Sequence, residues 1–131
     1  MSRTFAGLSL KTVLRFDGAL CLLMGIALIA LRNMISGPTG LSAAFLTWAG
    51  ILLLPVGLFI LVVAAATPPA RFGVGLIVVG NALWVLASLV AVGLIGPTGL
   101  GTAFVLVQAV GVAIIADVEL LLNRSSAPTS A

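Results

Sequence analysis

The chain has 131 residues, 62% of them apolar and 7% charged, with a formal net charge of +3. A soluble domain averages about half apolar and a quarter charged, so this composition excludes a water-facing globular surface and leaves no room for a folded domain outside a bilayer. The basic residues stand singly at the ends of apolar runs, as membrane flanks do, which argues against nucleic acid as a partner.

A bilayer core of about 30 Å needs about 20 apolar residues in a helix, and four runs meet that length. Residues 1–15 form a basic leading segment with Arg3, Lys11 and Arg15. The first span is predicted over 16–35; Arg15 followed by Gly18 to Leu31 also reads as the basic and apolar regions of a cleavable signal peptide. Cys21, inside this span, is the chain's single cysteine and reads as a small core residue, because it has no disulfide or zinc partner of its own kind. The second span is predicted over 41–66, with Pro55 deep inside it. Proline has no N–H for the carbonyl of Ile51, so a kink is expected there, either static or a hinge. Residues 67–71 connect to the third span at 72–95, the fourth runs over 100–122, and the small polar tail 123–131 is expected to be disordered. The fold class is therefore an all-α membrane protein of four transmembrane helices.

The four spans contain an internal repeat. Gly37-Pro38-Thr39-Gly40-Leu41 returns as Gly96-Pro97-Thr98-Gly99-Leu100, and Ala44-Phe45 returns as Ala103-Phe104. Each copy joins one apolar run to the next, so the unit is a helical hairpin occurring twice, 16–66 and 72–122. Loss of the first span as a signal peptide would break one copy. Proline and glycine suit a tight turn, and each Thr is placed to cap the following helix; a binding loop is the other reading. Two spans per unit put both copies in the membrane with the same orientation, so both turns share one face. The opposite face carries Arg3, Lys11, Arg15, Arg71 and Arg124, against Arg32 near the turns. That bias predicts cytoplasmic termini and a cytoplasmic Thr67-Pro68-Pro69-Ala70 connection.

Small residues four apart, such as Cys21 and Gly25, Ala87 and Ala91, or Ala109 and Ala113, predict close helix packing. Ionisable groups in a span are costly and need a reason. Asp17, Asp117 and Glu119 are expected near the cytoplasmic helix ends, either as an interfacial ring paired with Arg15, Arg71 and Arg124 or as a mouth for a proton or cation. Deeper in the membrane, Asn81, Trp84 and Ser88 form a polar stripe on the third span, with Gln108 on the fourth as the expected partner. The stripe reads as helix glue or as a solute site. Glu119 shares the Gln108 face while Asp117 points the opposite way. Ala49, Leu58 and Ile60 occupy the equivalent positions of the first hairpin, so that hairpin reads as scaffold.

Asn81 to Ser88, Pro97-Thr98, Ala103-Phe104-Val105, Gln108-Ala109 and Glu119 resemble a group of small, uncharacterised four-helix bacterial inner-membrane proteins. The resemblance implies a multi-pass protein of a bacterial inner membrane. Pro97-Thr98-Gly99-Leu100 is also similar to a segment of the small multidrug-resistance transporters. That family carries an acid deep in its first helix, and its dual-topology members carry little basic bias, whereas Asp17 is expected near a helix end here and the bias is strong.

With neither His nor Tyr, the chain lacks the commonest general base and metal ligand, so no enzyme, metal or cofactor is expected. The leading expectation is an accessory or assembly subunit that acts through helix faces, partnered by the lipid bilayer and by a second copy or another membrane protein. The alternative is an oligomeric transporter or channel for a proton, cation or small amphipathic solute, using Asn81, Trp84, Ser88 and Gln108 inside and Asp17, Asp117 and Glu119 at its mouth.

Overall fold

The structure is a computed structural model, described over residues 9–66 and 70–125. It contains five helices among the described residues: α1 (Leu10–Ala30), α2 (Arg32–Thr39), α3 (Ala43–Ala65), α4 (Arg71–Ile95) and α5 (Gly99–Ser125). All but the short α2 are long and apolar enough to cross a membrane. The chain is thus an all-helical, multi-pass membrane protein.

The helix ends follow local chemistry. Ser9 starts α1 by accepting a hydrogen bond from the Thr12 N–H, six residues earlier than the run of apolar residues suggests. Lys11 therefore sits on the helix, where its Nζ donates to the carbonyls of Ala64 and Ala66 at 2.5 and 2.9 Å and caps the end of α3. Past Ala30 the chain breaks at Leu31, and Arg32 donates to the Ile29 carbonyl at 2.6 Å. The expected continuous first span is thus α1 followed by α2. At the other end, α5 runs on to Ser125, so 123–125 are helical where a disordered tail was expected. The remaining tail, residues 1–8 and the 67–69 part of the connection lie outside the described residues. Through Pro55, α3 continues as one helix.

The most extensive packing is between chain neighbours, α1 on α3 and α4 on α5. In the bilayer, lipid tails are as apolar as side chains, so helices associate by close contact more than by hydrophobic burial. Two glycine pairs make that contact between α1 and α3. A Cβ on Gly50 would lie 2.6 Å from the Gly25 carbonyl oxygen, and one on Gly57 would lie 3.0 Å from that of Gly18. Neither Gly50 nor Gly57 was singled out by the small-residue spacing, which found Gly25 but not what it touches.

The two Gly-Pro-Thr-Gly segments lie at the same end and touch. The Thr98 N–H donates to the Thr39 carbonyl at 3.1 Å, and the Thr98 hydroxyl donates to the Pro38 carbonyl at 2.7 Å. Their local structures differ despite their sequence identity. Thr98 caps α5 by accepting from the Gly101 N–H at 3.0 Å. Thr39 does not cap α3: Pro38 and Thr39 belong to α2, the Thr39 hydroxyl donates to the Ile35 carbonyl, and Ser42 takes the cap by accepting from Phe45. Gly40 and Gly96, at φ 72 and 65, end their helices in the left-handed region where glycine is least strained.

Two apolar clusters stabilise the ends of the bundle. One joins Leu14, Ile60, Val74 and Leu122 near the chain termini, and the other joins Leu28, Leu41, Leu46 and Val105 near the turns. The polar groups lie between them.

Candidate functional site

Three helices each contribute one buried polar group at the same place. Asp17 of α1, Asn81 of α4 and Glu119 of α5 are 5%, 7% and 0% exposed. The Asn81 amide nitrogen donates to Asp17 Oδ2 at 3.2 Å and to Glu119 Oε1 at 3.1 Å, one hydrogen to each. The two carboxyls are thus held on one amide nitrogen. Among the described residues, Glu119 Oε2 has no hydrogen-bond partner. One helical turn along α1, the Cys21 thiol points at Asp17 Oδ1, 3.7 Å away.

Among the described residues neither acid is in an ion pair, and Arg15, Arg71 and Arg124 are exposed. The expected interfacial ring is therefore corrected for Asp17 and Glu119. The reason is helix length: because α1 begins at Leu10 and α5 ends at Ser125, both acids sit more than a turn and a half inside their helices. Asp117 behaves otherwise. It is exposed on the far side of α5 from Glu119, as the helical angle between the two requires.

A second polar group stands farther along the bundle. Trp84 donates its indole N–H to Gln108 Oε1 at 2.9 Å, Gln108 Nε2 donates to the Ser88 hydroxyl at 2.9 Å, and Ser88 donates to the Trp84 carbonyl at 2.8 Å. Gln108 thus partners Trp84 and Ser88. Asn81 is a turn too near the acids to reach it and pairs with them instead.

Between these two groups lies a cavity of about 480 Å³. Asp17, Asn81, Trp84 and Gln108 supply its polar lining, and Cys21, Met24, Pro55 and Phe59 are among the remainder. The first hairpin is accordingly part of the site, contrary to its reading as scaffold. The available signal was the spacing of Asp17 and Cys21, which places both on one face of α1. The role of Pro55 and Phe59 depends on how α3 faces α4, which no local pattern encodes. A second cavity of about 230 Å³ extends toward the turns and shares Met24, Trp84 and Gln108 with the first, so those side chains form the partition.

The larger cavity opens sideways. α3 and α4 scarcely touch, and the exposed residues along the cleft are Pro55, Val56 and Phe59 on one side and Leu76 and Gly80 on the other.

Comparison with known proteins adds no identity to this geometry. No family model, curated protein or solved structure matches the chain.

Chemically, two ionised carboxyls placed together in an apolar interior cost several kcal/mol per ion by order of magnitude, unless a positive charge or hydrogen-bond donors compensate them. Asn81 supplies two N–H groups, which leaves Glu119 Oε2 unmatched. The arrangement calls for a proton or a cation. Among the described residues no cluster of three or more His, Cys, Asp or Glu is placed to hold a metal ion.

Proposed function

We propose that this small integral membrane protein is a transporter that carries a small amphipathic solute through the Asp17, Asn81 and Glu119 site, in a bacterial inner membrane with both termini in the cytoplasm. The observation that supports this reading is the convergence of three buried polar side chains from three helices beside a cavity, with one carboxyl oxygen left without a partner. A chain that served only as packing material would gain more from apolar side chains at these positions, since a buried acid pair is costly in hydrocarbon. The orientation rests on the excess of basic residues at the termini face. The inner-membrane location rests on the sequence resemblance described above.

The sideways cleft between α3 and α4 favours a second reading, an accessory subunit that receives a helix of another membrane protein. Two measurements separate them. In sealed proteoliposomes of the purified protein, solute-driven dissipation of an imposed pH gradient is expected, and Asp17→Asn or Glu119→Gln should abolish it. Flux indifferent to both substitutions takes the acid pair out of the pathway, whereas no flux together with a stoichiometric foreign membrane protein in a native pull-down through a tag after Ala131 gives the accessory reading.

A further inference from the structure

Resting on that reading, we propose that the 480 Å³ cavity binds a monovalent organic cation with a compact apolar body, its charge beside Asp17 and its body among Met24, Phe59 and Trp84. Three features of the site select this chemistry. First is the sign: Asp17 lines the cavity, Glu119 is wholly buried next to it, and among the described residues no cation pairs with either. A cation supplies the counter-charge that a neutral guest would leave to a proton, and an anion would be repelled. Second, the polar lining is sparse. The rest of the wall is aliphatic, aromatic and thioether, so a small hydrated metal ion would lose its water shell without gaining enough oxygen ligands. A cation whose charge is covered by methyl or methylene groups loses little on the same transfer, and aromatic side chains such as Trp84 and Phe59 in the wall attract such cations.

Third, the cavity connects to the hydrocarbon layer. Its mouth between α3 and α4 is bordered by Pro55 and Val56 and, across from them, by Leu76 and Gly80. Space beside Gly80 is open: among the described residues, nothing beyond its chain neighbours and its own helix backbone lies within 4 Å of where a Cβ would stand. An amphipath already dissolved in the membrane reaches Asp17 through this gap without crossing the sealed ends, where Leu14 and Ile60 on one side and Leu28 and Leu46 on the other are buried. The neighbouring 230 Å³ cavity behind the Trp84 to Gln108 hydrogen bond gives the body of a longer guest a place to extend once that bond opens.

The test is a binding titration that does not depend on transport. In a Trp48→Phe background, Trp84 is the one remaining tryptophan and reports on the cavity. Benzyltrimethylammonium added to the protein in lipid nanodiscs should change its emission saturably. Neopentylbenzene, the same shape with a carbon in place of the charged nitrogen, should not compete. Asp17→Asn should weaken the cation at least tenfold, Gly80→Leu should slow its association by narrowing the mouth, and Asp117→Asn should change neither. Equal binding of the two compounds, or full affinity in Asp17→Asn, overturns the proposal; if Asp17→Asn does not fold, the comparison of the two isosteres decides by itself. Saturable cation binding without any flux would refute transport and leave the site standing. Flux of a neutral amphipath with no cation binding would do the reverse.

Discussion

The side-chain amide of Asn81 lies 3.1 Å from Glu119 Oε1, joining two helices at a point where Glu119 is completely shielded from solvent. The same nitrogen reaches Asp17 on a third helix, so one neutral side chain holds the acid pair together. Substitution of Asn81 by Leu removes both bonds and leaves two buried carboxyls facing one another. A loss of about 1–3 kcal/mol is expected, read by unfolding in mixed micelles. Replacing Glu119 by Leu in the same chain should restore part of that loss, because it removes the acid that was left unpaired. If the double variant is less stable than the single one by the full cost of a second core change, the coupling assigned to Asn81 is wrong.

The glycine contacts of α1 and α3 predict an asymmetry between glycines in similar sequence settings. Gly50→Leu drives a side chain into the backbone of Gly25 and should cost about 1–3 kcal/mol or prevent the hairpin from closing. A Cβ at Gly75 on α4 would meet open space, and Gly75→Ala should be neutral or stabilise by up to about 1 kcal/mol through helix propensity. Thermal unfolding of the two variants in one detergent checks both.

A similar contrast exists within the second turn. At Gly101 a Cβ would collide with the Thr39 carbonyl, while at Gly99 the space is open. Gly101→Ala should separate the two Gly-Pro-Thr-Gly segments, break the hydrogen bonds of Thr98 to Pro38 and Thr39, and lower stability. Gly99→Ala should leave all three features unchanged. Comparable unfolding temperatures for the two would show that the segments do not meet.

Orientation is testable by labelling in a Cys21→Ser background with a membrane-impermeant maleimide. Cysteine at Gly37, which is exposed with open space around it, should react in intact cells, and cysteine at Ser126 should react only after permeabilisation. Thr39 is 5% exposed, so a cysteine there should stay unlabelled until the protein is unfolded, whichever side it faces. The reverse pattern at Gly37 and Ser126 would invert the protein in the membrane.

Sequence by itself determined the number of spans, because about 20 consecutive apolar residues have one favourable state in a bilayer, the hydrogen-bonded helix. It also determined that Glu119 and Asp117 face apart and that Trp84 and Ser88 share a face, since both follow from 100° per residue within a single helix. Only the tertiary structure decided that Asn81 turns to Asp17 and Glu119 instead of Gln108, that the first hairpin supplies half of the cavity, and that Thr98 caps a helix where the identical Thr39 does not. Each of these depends on how far a neighbouring helix extends and how closely its backbone approaches. A start at Ser9 moves Asp17 about two turns into the bundle, and paired glycines let α1 and α3 close up until their backbones touch. Such distances are set between helices, by packing of surfaces remote in the chain, and no periodicity along one helix carries them.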